Sequence, residues 1–130
     1  AMRQAGRYEP TLELLTPQLS SIGLGAELLD RLLAQHSQID AVFFNNDDLA
    51  LGALFRAHQL GLDVPGRLAI AGFNDLPAAA WVHPALTTVR TIRGRIGQLA
   101  GEMLLTLMRG EQPAQHCIDV GFELVLRDSA

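Results

Sequence analysis

Apolar residues recur along the chain in two spacings, which predict alternating strands and helices. Continuous apolar runs, typical of buried strands, lie at residues 11–15, 39–44, 68–73, 86–89 and 116–129. Stripes of apolar residues three and four positions apart, typical of helices, lie at residues 23–37, 48–61 and 90–110. A shorter helix is predicted to begin near Pro77. This alternation predicts an α/β fold: a parallel sheet with helices on both faces, joined by right-handed crossovers.

Polar side chains cluster where three of the predicted strands end. The clusters are Ser20 and Ser21, then Asn45, Asn46, Asp47 and Asp48, and finally Asn74 and Asp75. Because the carboxyl ends of parallel strands meet at one edge of a sheet, we expect the three clusters to line that edge, where open sheets bind ligands. Amide, hydroxyl and carboxylate groups can all hydrogen-bond to a polyhydroxyl compound, so a sugar-like ligand fits this pattern.

Helix capping is the alternative explanation for these residues. Ser, Asn and Asp are preferred N-caps, and capping accounts for one polar residue at each junction. Four polar residues in a row exceed that need. We expect Asp47 or Asp48 to cap its helix, near the positive helix end, which leaves Asn46 facing the cleft. After the next strand, either Asp75 caps and Asn74 faces outward, or the reverse.

Composition and charge narrow the function classes. The chain has 130 residues, 48% of them hydrophobic and 18% charged, which indicates one folded domain with a substantial core. Its net charge of −4 argues against electrostatic binding of nucleic acid or an anionic membrane. Arg90, Arg93 and Arg95 form the one basic cluster, interpreted as a solvated helix entry or as a contact for an anionic ligand.

The first residues resemble the end of a helix closed by Gly6, so we expect a piece of a longer protein.

Patterns that carry catalysis or bind cofactors are weak. Residues 22–28 resemble a dinucleotide fingerprint, but Leu28 stands at the third glycine position. Asp47 and Asp48 could suggest phosphoryl transfer, yet the chain contains no lysine to hold the phosphoryl group. The lone Cys117 has no pairing cysteine, and the histidines lack metal-ligand spacing. We therefore expect no enzyme activity, no cofactor, no metal site and no membrane span.

Three motifs in register resemble a known family. Residues 45–54 (NNDDLALGAL), 64–75 (VPGRLAIAGFND) and 84–91 (PALTTVRT) resemble the effector-binding domain of the LacI/GalR family of bacterial transcription regulators. Residues 20–25 (SSIGLG) and 120–129 (VGFELVLRDS) are similar to the gluconate-type repressors of that family. The resemblance implies a two-lobed fold like that of periplasmic sugar-binding proteins. Residues 1–130 would form most of one lobe and part of the other, without the DNA-binding headpiece and the first half of the effector domain.

The resemblance also implies roles for individual residues. It implies that Asn46, Asn74, Ser20 and Ser21 face the effector, and the predicted ligand-binding set also includes Asp75 and Asp47 from the same polar clusters. The resemblance further implies a dimer contact made by Leu51, Leu54 and Trp81. The helix beginning at Arg93 would pack in the other lobe. Two positions depart from the family pattern: Asn74 stands where many members have Asp, which suits a carboxylated sugar, and Ile92 stands where many have Pro.

Together these features predict the effector-sensing part of a cytoplasmic repressor. A small sugar or gluconate-like sugar acid would bind in the cleft of a homodimer and change its affinity for operator DNA, which the absent headpiece binds. The alternative is a solute-binding protein of a sugar transporter, which shares the fold. A third possibility, an enzyme using the acidic residues, predicts turnover or metal dependence.

Overall fold

The computed structural model describes residues 2–6 and 8–130, and from the first α-helix onward strands and helices alternate as the sequence predicts. The strands are β1 (Ala41–Phe43), β2 (Ala69–Phe73), β3 (Thr87–Thr91) and β4 (Phe122–Val125). The α-helices are α1 (Ile22–Gln35), α2 (Asp47–Gln59) and α3 (Arg93–Met108), and short 3-10 helices cover Pro10–Leu12 and Pro77–Ala80. The α/β class is confirmed. No helix in the described ranges is both long and apolar enough to cross a bilayer.

The four strands form one sheet in the order β1-β2-β3-β4. Strands β1, β2 and β3 are parallel, whereas β4 is antiparallel to β3, with Arg90 opposite Glu123. The all-parallel expectation is therefore wrong for the last strand. The chain leaves β3 at Thr91 and re-enters the sheet at Phe122, directly opposite Thr91. The connection that contains α3 therefore begins and ends at the same edge of the sheet, so β4 runs antiparallel to β3.

Residues 11–15, predicted as a strand, do not form one. Their first part continues the 3-10 helix, where the Glu9 side chain accepts a hydrogen bond from the Thr11 backbone N–H. Leu12 and Leu15 are 50% and 80% exposed. An apolar run becomes a strand only where a neighbouring strand pairs with it, and residues 11–15 pair with no strand in the described part of the chain.

The core lies between the sheet and the helix pair α1–α2. The two helices touch backbone to backbone near their first turns. A Cβ atom on Gly25 would overlap the backbone of Leu49, and one on Gly52 would overlap the backbone of Ile22. Only glycine permits this approach, which places the N-terminal ends of α1 and α2 side by side at the edge where the strands end.

Helices cover the two faces of the sheet unequally. On the face toward α2, Ile70 and Gly72 are buried. On the opposite face Phe43 is 60% exposed, so the expected helical cover is found on one side among the described residues. Helix α3 contains no buried residue. The assignment of α3 to another lobe stays a prediction.

Candidate ligand-binding site

The close packing of α1 and α2 joins the first two polar clusters. The Asn46 side-chain amide donates a 2.6 Å hydrogen bond to the Ser20 hydroxyl, across 26 residues of sequence. It also lies 3.4 Å from the Asn45 amide oxygen. Ser20 and Asn45 are exposed and Asn46 is half-buried. The predicted meeting of these clusters at one edge is therefore observed.

The capping residues differ from those predicted for α2. Asn46 is the N-cap: it has extended backbone angles, and its side-chain oxygen accepts a 3.1 Å hydrogen bond from Leu49 N–H. The prediction that Asp47 or Asp48 caps this helix is wrong, because the helix already begins at Asp47. Ser21 caps α1 in the same way, accepting a 3.1 Å hydrogen bond from Leu24 N–H. Ser21 is thus explained by capping alone.

Asp47 points into the protein. Its side chain is fully buried. One carboxylate oxygen accepts a 2.6 Å hydrogen bond from the Thr88 hydroxyl, and the other accepts a 2.7 Å hydrogen bond from Leu76 N–H. Both donors and the positive end of α2 offset the cost of burying the charge. The assignment of Asp47 to the ligand-binding set is corrected: it is a structural carboxylate.

The turn after β2 has an unusual backbone. Asn74 and Asp75 both have positive φ, 112° and 52°, which is uncommon for residues other than glycine. The Asn74 N–H donates to Val89 O at 2.8 Å, and neither residue caps the following 3-10 helix, whose N-cap is Leu76. The expected capping role is therefore wrong for both. Within residues 2–6 and 8–130, the Asn74 side-chain amide makes no hydrogen bond.

Asp75 lies at the centre of an ion-pair cluster. Its carboxylate accepts a 2.6 Å hydrogen bond from Arg127 and a 2.7 Å hydrogen bond from Arg90, which also contacts Glu123 at 2.9 Å. Burial by itself would raise the pKa of Asp75, but the hydrogen bonds from Arg127 and Arg90 outweigh it, and the pKa lies below its ordinary value of 3.8. Both oxygens of Asp75 are thus already paired. Its negative charge is compensated within the protein.

Arg127 was not identified from the sequence. Its ion pair with Asp75 joins residues 52 positions apart, and Thr88 contacts Asp47 across 41 positions. Neither separation follows a helical or strand period. The only available sequence indication was that Arg127 lies in the motif at residues 120–129.

The polar edge therefore offers a smaller set of groups than predicted. Ser20, Asn45, Asn46 and Asn74 present neutral hydroxyl and amide groups. A cavity of about 450 Å³ opens beside this edge, with Ser20 and Asn45 in its wall next to apolar side chains such as Leu28 and Phe44. The described residues contain no group of three or more potential metal ligands, and Cys117 is exposed.

The predicted dimer residues separate into two kinds. Leu51 and Leu54 are each 3% exposed and belong to the core, so a dimer contact made by their side chains is wrong. Helix α2 packs against α1 and the sheet, and both leucines are buried in the hydrophobic core. Trp81, by contrast, is 89% exposed. Its role in a dimer stays a prediction.

Comparison with known proteins identifies the family. The sequence pattern of the periplasmic binding protein-like domain matches residues 1–130. The chain belongs to this family. Over 129 residues it is 49% identical to the HTH-type transcriptional regulator GntR of Pseudomonas aeruginosa, covering 99% of this chain but 38% of that protein. The periplasmic binding protein-like chain thus spans well under half the length of that relative.

Two further relatives place the domain among LacI/GalR-type regulators. The structure of a transcription regulator GntR from Chromobacterium violaceum is 54% identical, with a TM-score of 0.89, covering 98% of this chain and 47% of that one. A lactose operon repressor from Rhizobium radiobacter is 32% identical over 106 residues, covering 82% of this chain and 93% of that protein. The resemblance to the LacI/GalR family, and to its GntR members, is confirmed. These relatives are regulators of transcription, not enzymes.

Proposed function

We propose that this domain is the effector-sensing part of a cytoplasmic DNA-binding repressor and that it binds a gluconate-like sugar acid. The observation that carries this proposal is the set of neutral groups at the carboxyl edge of the sheet. Ser20 and Asn46 are joined there, and the Asn74 amide is free. Hydroxyl and amide groups both donate and accept hydrogen bonds, as recognition of several ligand hydroxyls requires.

The state of the nearby carboxylates favours an acid over a neutral sugar. Asp47 is buried against Thr88 and Leu76 N–H, and Asp75 is paired with two arginines. A carboxylate on the ligand would therefore meet neither of them as an uncompensated like charge. At the third cluster Asn74 presents a neutral amide, which can donate to such a carboxylate.

Regulation requires that the effector bind two states of the protein with different affinity. The domain has a net charge of −4 and does not itself attract DNA, so operator binding belongs to a headpiece outside these residues. A homodimer would carry two such headpieces, and we place Trp81, which is 89% exposed, at the dimer contact.

Calorimetric titration of the full-length regulator tests the assignment. Gluconate, its phosphorylated relatives and a few neutral sugars would be titrated in parallel. We expect saturable binding of a sugar acid, and a loss of roughly 1–3 kcal/mol of binding free energy in Asn74→Asp, which tolerates the same positive φ but replaces the amide donor with a like charge. Gln59→Glu, the same change at the far end of α2, is the matched control. Binding of neutral sugars alone would refute the sugar-acid assignment.

Operator binding separates the repressor from a transporter's solute-binding protein. Fluorescence anisotropy with labelled operator DNA, with and without the effector, would show a change in DNA affinity if the protein is a repressor. Effector binding without any DNA binding by the full-length protein would favour the solute-binding alternative. The GntR names of the relatives at 49% and 54% identity support the repressor.

A further inference from the structure

The turn that presents Asn74 is strained, and contacts from distant parts of the chain hold it. Two consecutive non-glycine residues with positive φ are costly and persist only where the surroundings over-determine them. Here Asn74 N–H donates to Val89 O at 2.8 Å, Leu76 N–H donates to Asp47 at 2.7 Å, and the Asp75 carboxylate lies between two arginines. The turn is thus fixed by contacts to α2, to β3 and to the end of the chain.

Of the two arginines, Arg127 is the more firmly held. Its side chain is 16% exposed, against 47% for Arg90. One guanidinium nitrogen donates to Asp75 at 2.6 Å and another to Leu86 O at 2.8 Å, while the Arg127 backbone N–H donates to the Thr87 hydroxyl at 2.9 Å. Arg127 is therefore tied to the start of β3 before it reaches the turn.

The residues that follow Arg127 fix its position further. Ser129 is fully buried between the first residues of β2 and β3. Its hydroxyl donates to Ile70 O at 2.6 Å and accepts from Thr87 N–H at 2.9 Å. Its backbone carbonyl accepts from Ile70 N–H at 2.7 Å. These hydrogen bonds hold residues 127–129 against the sheet, so Arg127 extends from a fixed support.

We propose that Arg127 is a positioning residue for the effector: through its ion pair with Asp75 it holds the Asn74–Asp75 turn in the conformation that presents the Asn74 amide. The inference rests on the proposed function, in which Asn74 contacts the ligand. Arg127 itself is directed at Asp75 and Leu86 O, so it acts through the turn. Arg90 supports the same carboxylate from a more exposed position and contributes less.

Loss of this support lowers the fraction of molecules whose turn is competent to bind, and the apparent dissociation constant rises by the inverse of that fraction. In the full-length regulator, Arg127→Gln removes the charge but keeps a long polar side chain. We expect gluconate to bind this variant about 10-fold more weakly. Arg127→Lys keeps the charge and should restore part of the affinity.

Two further variants control for lost charge and for misfolding. Arg56→Gln breaks the 2.8 Å ion pair between Arg56 and Asp30, which joins α1 and α2 away from the turn, and should leave gluconate binding unchanged. Asp75→Asn removes the same interaction from the other side and should reproduce the effect of Arg127→Gln. It replaces that variant if Arg127→Gln does not fold.

Crystal structures of the ligand-free variants supply a readout that does not depend on gluconate. We expect Asn74 or Asp75 to leave the positive-φ region in Arg127→Gln and to stay there in Arg56→Gln. An unchanged turn, or gluconate binding equal in the two variants, overturns the positioning role. If the unmodified regulator does not bind gluconate, the proposed effector is wrong. The φ angles of Asn74 and Asp75 in the two variant structures then test the role of Arg127 without any ligand.

Discussion

The two halves of the polar edge are built by different means. At the start of α1 and α2, Ser21 and Asn46 make cap hydrogen bonds to backbone groups three residues away, and the glycine contacts bring the two caps together. At the turn after β2, Asp75 depends on arginines 15 and 52 residues away. The first half uses local chemistry that helix ends need in any case, whereas the second depends on the completed sheet.

The difference between the two halves shows which polar side chains remain available to a ligand. In the first half, most of the hydrogen-bonding capacity serves the helices, and Asn46 both caps α2 and contacts Ser20. In the second half, long-range contacts hold the turn through its backbone and Asp75, which leaves the Asn74 side chain unused within the described residues. We therefore expect substitutions that disturb helix packing to affect the first half most, and substitutions that remove a charge to affect the second half most.

The largest effect is expected from closing the glycine contact between the helices. In Gly52→Ala the new Cβ would overlap the Ile22 backbone, so α1 and α2 must separate. We expect a loss of about 3 kcal/mol in unfolding free energy, measured by urea denaturation. Gly23→Ala is the matched control, because its Cβ would approach only the Ser21 hydroxyl, at 4.0 Å. Equal stability of the two variants would contradict the described packing.

A slightly smaller effect is expected from removing the buried carboxylate of Asp47, which lies at the start of α2 and binds the turn after β2 through Leu76 N–H. Asp47→Ala leaves the Thr88 hydroxyl and Leu76 N–H without their acceptor. The cost should be about 2–3 kcal/mol of unfolding free energy. Asp48→Ala provides the comparison, since Asp48 is the exposed neighbour in the same helical turn. A larger loss for Asp48→Ala would show that the two acids had been assigned the wrong way round.

Asn46 allows capping to be separated from ligand binding. Asn46→Ala should cost about 1 kcal/mol of unfolding free energy, because α2 loses its cap. Asn46→Ser keeps a capping oxygen and should retain most of that stability. Both variants should weaken effector binding in the full-length protein, because both remove the side-chain amide. Normal binding by Asn46→Ser, measured by calorimetry, would mean that Asn46 only caps.

The smallest effect is a pH dependence confined to the second half of the edge. The pKa of Asp75 is lowered in the folded state, so its ion pairs stabilise the fold fully above the ordinary value of 3.8. This contribution is lost as the pH falls below 3.8 through the lowered pKa. Urea unfolding at several pH values should therefore show the stability difference between the parent and Asp75→Asn shrinking below that value. A difference independent of pH would show that Asp75 is not ionised in the fold.

Comparison of particular residues shows what the sequence could predict. The order of strands and helices from α1 onward was predicted correctly, because apolar spacing is a local property. Ser20 and Asn46 do meet as predicted, but no strand precedes Ser20 among the described residues, and the glycine contacts between α1 and α2 bring the two residues together. The cap of α2 was misplaced by one or two residues, since Asn, Asp and Ser have similar capping preferences. Leu51 and Leu54 were assigned to a dimer contact from the family resemblance, which does not show that packing inside this domain buries both side chains.

The sequence by itself determined the α/β class, the family and the edge of the sheet where the polar groups gather. Tertiary structure decided which of those groups turn inward: Asp47 to Thr88, and Asp75 to Arg127. It also decided that β4 runs antiparallel and that residues 11–15 form no strand. The physical reason is one of range. Hydrophobic period and capping act over three or four residues, whereas the pairing of a buried charge or a strand depends on partners 40 or more positions away, which only the assembled sheet brings near.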